Sequence, residues 1–229
     1  YQSQGRYENA LTIFEMALDI ARKTDDRESE AVNLNNIAVI YSSQGRYDEA
    51  LITYEASLAI YRQIDHQAGI GTALSNIAGI FHTQGRYAEA IMTFELSLDI
   101  RREIGDRSGE GITLNNIAGV FESQEQYVEA LALYEEALVI MRELGNVLGE
   151  ARALNNIGSI YSSQGQYEEA LIQFEATLEI RRDIGDREGE GTTLGNIAGV
   201  YHSQGRYEEA LALYDEALII AREVGDALG

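Results

Sequence analysis

Apolar residues along this chain fall on one helix face, then on a second, and then the whole pattern recurs. In the stretch beginning at Glu110, Leu114, Ile117, Ala118 and Phe121 stand at i, i+3, i+4 and i+7, the stripe of an amphipathic helix. The following segment places Tyr127, Ala130, Leu131, Tyr134, Ala137, Leu138 and Met141 on a second stripe. Between the two, most repeats read SQGRY or SQGQY, where glycine suits the left-handed position that ends a helix. The second helix is predicted to close at Gly105, Gly145, Gly185 and Gly225, usually followed by Asp as the N-cap of the next first helix. The unit is therefore a helix–turn–helix hairpin.

The period is 40 residues without an insertion: Tyr7, Tyr47, Tyr87, Tyr127, Tyr167 and Tyr207 keep it, as do Ala10, Ala50, Ala90, Ala130, Ala170 and Ala210. A single hairpin cannot bury its stripe alone, so the hairpins must stack into an all-α solenoid. The chain reads as one array, with a partial repeat over 1–29 and full repeats over 30–69, 70–109, 110–149, 150–189 and 190–229. Leu133 and Ile140 form a second apolar line on the second helix, expected to be the seam against the following repeat. Its exposed back carries the glutamates of YEEAL and YDEAL, which places much of the negative charge on the convex side.

Two irregularities stand out. In SQEQY, Glu125 replaces the turn glycine, which predicts either a strained or reshaped turn or a tolerated exposed substitution. At the ends, Tyr1 aligns with Tyr41 and Gly229 with Gly189, so the first second-helix lacks most of its partner and Ile220 has no following hairpin. The expectation is a segment of a longer protein, or end-to-end contacts between uncapped ends.

The repeat beginning at 150 carries Gly158 in mid first helix, Tyr161 one turn on, the turn Gly165 and Tyr167, then Ala170, Leu171, Phe174 and Leu178. This phrase resembles the tetratricopeptide repeat (TPR) family, over the whole chain. HEAT-type repeats of similar length lack it. The unit is longer than the family's usual roughly 34 residues and has no proline. That form is similar to kinesin light chains, to Pins-type spindle-orientation adaptors, and to bacterial arrays attached to CHAT protease or NB-ARC ATPase modules. The resemblance implies a right-handed superhelix whose first helices line a concave groove. The extra residues, RREIGDR and its relatives, are expected to lengthen the second helix by about a turn.

With Leu114 at 0°, Asn115, Gly119 and Asn116 lie at about 100°, 140° and 200°, with Glu122 and Ser123 at about 80° and 180°. They form a polar, small-residue face opposite the core. Across repeats one site holds Asn36, Asn76, Asn116, Asn156 and Asn196, and the site before it Asn35, Ser75, Asn115, Asn155 and Gly195. A carboxamide both donates and accepts, so this ladder could pair with the backbone of an extended peptide or tie one first helix to its neighbour. Both readings stay open. The more variable His82, Glu122, Arg152 and His202 are expected to set specificity. Arg152 alone is basic there, so the groove lacks the cationic cluster with which family members clamp a C-terminal carboxylate, and a chaperone-tail ligand is disfavoured.

Composition narrows the function classes. The net charge of −21 repels phosphate backbones and anionic lipid surfaces, so neither nucleic acid nor membrane is an expected partner. Without cysteine there is no disulfide or thiolate metal site, and no apolar run approaches a membrane span, which makes a cytoplasmic protein the default. His66, His82 and His202 are dispersed, no phosphate-cradling loop occurs, and pairs such as Glu135–Glu136 read as solvated surface. No cofactor, metal or catalytic site is expected. The leading expectation is a non-catalytic protein-interaction scaffold holding an extended peptide or helix. The alternatives are the sensor or regulatory arm of a larger signalling enzyme and a self-assembling head-to-tail array.

Overall fold

The computed structural model describes the backbone of residues 2–227 and the side chains of residues 7–225. Among the described residues there are eleven helices and no strand: α1 (Gln2–Lys23), α2 (Arg27–Ser43), α3 (Tyr47–Gln63), α4 (Gln67–Thr83), α5 (Tyr87–Glu103), α6 (Arg107–Ser123), α7 (Tyr127–Glu143), α8 (Val147–Ser163), α9 (Tyr167–Asp183), α10 (Arg187–Ser203) and α11 (Tyr207–Ala227). They gather into two compact units, Tyr1–Val120 and Phe121–Gly229. In the first, α1 packs on α2, and the hairpins α2–α3 and α4–α5 follow, α3 against α4. In the second, α7 packs on α8, and the hairpins α8–α9 and α10–α11 follow, α9 against α10.

The turn inside each hairpin follows from its glycine. Gly45 adopts φ 73°, Gly45 N–H donates to Ser42 O at 2.9 Å, and Arg46 N–H reaches back to Tyr41 O at 2.9 Å. These bonds satisfy carbonyls that the helix end would otherwise leave open. The Arg46 guanidinium then stacks over the Tyr41 ring at 4.1 Å and pairs with Glu49. Arg86 over Phe81 with Glu89, and Arg206 over Tyr201 with Glu209, repeat the device. Glu125 takes φ 59° and closes the same turn, its N–H on Glu122 O and that of Gln126 on Phe121 O, both at 2.9 Å. The turn is not reshaped, and the glutamate adopts glycine's conformation.

Between hairpins, N-caps start the next first helix. Asp26, Asp106, Asn146 and Asp186 each accept through a side-chain oxygen from the backbone N–H three residues on, at 2.9–3.0 Å. His66 has this role in α4, its Nδ1 accepting from Gly69 N–H at 2.9 Å. Of the RREIGDR stretch, only Arg101–Glu103 extend α5.

A buried glutamate clamps these junctions. Glu110 accepts from Arg102 Nε at 2.8 Å and Arg107 Nη1 at 2.6 Å; Glu190 does the same with Arg182 and Arg187, and Glu30 with Arg22 and Arg27. At the α3–α4 junction the corresponding residue is the buried Ile70.

Three expectations are corrected. The isoleucine line does not face the following repeat: Ile220, with none after it, is 3% exposed, and its Cγ2 lies 3.2 Å from where a Cβ on Gly191 of its own hairpin would be. The second helix does not close at Gly225, because α11 runs to Ala227 and Gly225 keeps a helical φ. No first helix packs beyond it there to hold a left-handed turn, and a helical glycine costs only about 1 kcal/mol. At the other end α1 continues through Gly5 without a break.

Candidate functional site

The first helices lie side by side within each unit, α2 beside α4 and α8 beside α10. Asn35, Asn36, Asn76, Asn115, Asn116, Asn155, Asn156 and Asn196 are all half-buried on them. Their patterning explains the placement. Leu34, Ile37 and Ala38, like Leu194, Ile197 and Ala198, are buried in the core, which turns the intervening amides away from the second helices.

Part of the ladder is already paired. Asn76 Nδ2 donates to Asn35 Oδ1 at 3.0 Å, and Asn196 Nδ2 to Asn155 Oδ1 at 2.9 Å. Each bond joins the later site of one repeat to the earlier site of the repeat before. At about 1 kcal/mol net each, such bonds fix the spacing of neighbouring first helices. Asn115 and Asn156 also have partners.

The pairing rule fails where its acceptor is missing. The residue 41 positions before Asn116 is Ser75, and Ser75 is occupied elsewhere. Ser97 Oγ donates its only hydrogen to Gly71 O at 2.7 Å, so it must accept from Ser75 Oγ at 2.8 Å and Arg101 Nε at 3.3 Å. Ser75 is thus turned into its own hairpin. Among the described residues the Asn116 side chain has no hydrogen-bond partner, nor has that of Asn36, which stands fewer than 41 residues into the sequence.

The variable positions divide in the same way. Glu122 accepts from the buried Tyr134 hydroxyl at 2.7 Å, and burial followed by the Glu122 charge pushes that phenol well above its ordinary range. His82 is half-buried, its imidazole held below the ordinary 6.5 by desolvation, and its ring lies 6.0 Å from Tyr87. His202 is exposed and meets Tyr207 edge-on at 5.3 Å. Arg152 is exposed on α8 and lines a cleft of about 270 Å³ with Arg181, Asp186 and Thr192. Arg181 was not foreseen as a neighbour of that face, since it sits on the second helix α9. The floor between the amides is small: nothing lies within 4 Å of a Cβ added at Gly79.

Among the described residues no group of three His, Asp or Glu side chains could hold a metal ion, and no helix is long and apolar enough to cross a membrane.

Comparison with known proteins agrees with this architecture. The structure is similar to BtubC (BKLC) from P. vanneervenii, with a TM-score of 0.81 and 22% identity over 96% of this chain and 92% of that one. A putative kinesin light chain with nearly identical TPR-like repeats from Podosopora anserina gives 0.68 and 18%, over 87% and 98%. A Rap protein complexed with Competence and Sporulation Factor gives 0.76 and 15%, over 98% and 72%. At these identities the likeness carries the fold. No curated protein matches the sequence. The family model for the tetratricopeptide repeat matches residues 1–63, 69–143, 109–183 and 149–223. Repeat pattern, hairpin geometry and family model agree, and the chain belongs to the tetratricopeptide repeat family.

Proposed function

We propose that the chain is a non-catalytic protein-interaction scaffold that holds an extended peptide or a helix against its first helices. The observation that carries this reading is the split in the asparagine ladder. Asn76 and Asn196 are spent on neighbouring helices, whereas Asn116, which has Ser75 in place of an acceptor 41 residues back, keeps both donor and acceptor for a guest. A half-buried amide that is not bound to a neighbouring helix can exchange water for a guest, and a peptide backbone offers the complementary groups in register. The open space over Gly79 lets a main chain approach closely.

A displayed library of unstructured dodecapeptides tests this. Selected peptides should bind the parent chain and lose at least tenfold in affinity for Asn36→Ala/Asn116→Ala, which should melt unchanged. Asn76→Ala should instead lower stability by about 1 kcal/mol through loss of its helix-to-helix bond. Enrichment no greater than on the double variant would overturn the reading.

A second reading is the regulatory arm of a larger signalling protein. It is supported by the Rap protein, whose fold is shared and which is complexed with a sporulation factor. Head-to-tail assembly has less support. Both α1 and α11 leave a second-helix face uncovered, and two such faces do not complete a hairpin.

A further inference from the structure

The backs of the second helices differ from one hairpin to the next. On α3, Ala50, Tyr54, Ser57 and Leu58 are buried, and on α5 the corresponding Ala90, Phe94, Ser97 and Leu98. At about 100° per residue, Ile52 and Met92 then stand near the middle of the opposite, solvent-facing side. Ile52 is 67% exposed and Met92 64%; Leu96, one turn after Met92 on the same side of α5, is 55% exposed. Residues four apart on a helix are neighbours, so Met92 and Leu96 form one apolar ridge. Both α3 and α5 pack on α4, which sets Ile52 and this ridge on the same outer surface of the first unit.

Stacking does not require these side chains. In the second unit the place of Ile52 and Met92 is held by Ala132, Ile172 and Ala212, and that of Leu96 by Glu136, Ala176 and Glu216. Glu216 there bonds to Arg182 at 3.1 Å, and Ile172 is followed one turn on by alanine instead of a second large side chain. On α7 the exposed Val128 and Val139 stand about three turns apart and form no ridge.

The rim of the ridge is anionic. Asp48, Glu55, Glu95 and Asp99 are exposed on the same two backs, and among the described residues none has an ionic or hydrogen-bond partner. Arg101 and Arg102 of α5 are held by Asp106 and Glu110. That leaves Arg62, in the last turn of α3, as the one cation of these helices without a carboxylate among the described residues.

A contiguous exposed apolar ridge marks an interaction surface, and its rim selects the partner. A second copy of this chain brings a net charge of −21, and anionic lipid meets the same repulsion. The two helices offer no free backbone edge to an extended strand. A helix carries its own backbone bonds and packs its side-chain rows against an i, i+4 ridge. We propose that the backs of α3 and α5 dock a basic amphipathic helix of a partner protein. Its apolar stripe lies on Ile52, Met92 and Leu96, and its lysines or arginines meet Asp48, Glu55, Glu95 and Asp99. The surface belongs to second helices, so it is a docking site additional to the amide face and does not rest on the groove reading.

The test uses the full chain and a fluorescein-labelled peptide of alanine, lysine and leucine, about five helical turns long, with leucine at every third or fourth position. Fluorescence anisotropy in about 0.15 M salt should show saturable binding at micromolar concentrations. A peptide of the same composition with its leucines spread round the helix should bind at least tenfold more weakly, as should one with glutamate for lysine. Met92→Ala/Leu96→Glu copies Ala132 and Glu136 of α7 at exposed positions, so its thermal unfolding should be unchanged. It should weaken the striped peptide about tenfold although it adds a negative charge, the opposite of what charge attraction alone gives. Glu55→Gln/Glu95→Gln should weaken binding about threefold and flatten its salt dependence. Equal binding of the spread peptide, or unchanged affinity in Met92→Ala/Leu96→Glu, would overturn the site. So would self-association of the parent chain, or its binding to phosphatidylcholine vesicles, if Met92→Ala/Leu96→Glu abolished it, since the ridge would then belong to a second copy or to lipid. Asn36→Ala/Asn116→Ala should bind the striped peptide as the parent does, which separates failure of this surface from failure of the groove reading; a loss there would place the peptide on the first helices and overturn the proposal.

Discussion

Helices α1 and α11 are the same element with opposite neighbours missing. α1 packs on the first helix of the next repeat, α2, with none of its own before it; α11 packs on its own first helix, α10, with none after it. Their burial patterns are complementary. On α1, Leu18 is 8% exposed and Ile20 59%; on α11, the corresponding Leu218 is 48% exposed and Ile220 3%. Ala21 is buried on α1 and its counterpart Ala221 is exposed on α11, whereas Ala210 is buried on α11 and Ala10 only half-buried on α1. The second helix therefore has two apolar lines of distinct duty: alanine and isoleucine close the hairpin, and leucine with the 21-type position builds the stack.

The largest effects should come from crossing those duties. Ile220→Ala should destabilise the α10–α11 hairpin by about 2–4 kcal/mol, and Leu18→Ala the α1–α2 contact by a similar amount. Ile20→Ala and Leu218→Ala should stay within about 0.5 kcal/mol. Local hydrogen exchange is the suitable readout, since repeat arrays need not unfold in two states. Equal effects of Ile20→Ala and Ile220→Ala would break the assignment of duties.

A second test concerns the stacking position. Its residue lies across the third residue of the next first helix, which must then be small. A Cβ on Gly69 would sit 2.4 Å from the Tyr61 ring, and the same Cβ at Gly149 would sit 2.3 Å from Met141 Sδ. Where the stacking residue is Ala21, Ser29 is accommodated. Gly69→Ala should cost about 1–3 kcal/mol by overpacking. Tyr61→Ala in the same chain should recover much of that loss, a non-additivity read by a double-mutant cycle.

These cases show what the sequence made legible. The hairpins, their N-caps and the amide face follow from local spacing, because helical periodicity states which side chains share a face. Periodicity does not state which neighbour a face meets, so Ile140 was assigned to the wrong partner; only the two ends distinguish the choices. The pairing of a large residue with a glycine eight positions on, Tyr61 with Gly69 or Arg181 with Gly189, was written in the chain. Read across the repeats, it would have brought Arg181 to the cleft beside Arg152. The state of the asparagines depended on a partner 41 residues away, and Ser75 was its visible sign.

The junction clamp supplies a smaller, pH-dependent test. Arg182 leads in holding Glu190 below the ordinary 4.5, aided by Arg187. At Glu110 burial opposes, and is outweighed by Arg102 and Arg107. A carboxyl depressed in the folded state contributes stability that is present above its unfolded value and is lost as pH falls through the folded value. Thermal stability should therefore decline below about pH 4.5, and Glu190→Gln should reduce the slope by about one proton at most. An identical slope in the variant would show that the clamp does not distinguish folded from unfolded chain.

The smallest effect isolates backbone from packing. Glu125, Asp25 and Asp65 occupy left-handed backbone at φ 59°, 56° and 53°, where Gly45, Gly85 and Gly165 stand in other repeats or Gly105 and Gly145 at the junctions. A side chain there costs about 1–2 kcal/mol, less for Asp, which can bond locally. Little packing is at stake in such turns, since nothing lies within 4 Å of a Cβ at Gly45, Gly85 or Gly165. Glu125→Gly should thus gain about 1 kcal/mol, reduced by the greater freedom of glycine in the unfolded chain. Asp25→Gly, next to α1, should gain less, because aspartate tolerates the conformation better. Urea midpoints of the two variants check the order. A larger gain at Asp25 would mean that the α1 junction, with a single hairpin neighbour, carries strain beyond its backbone angle.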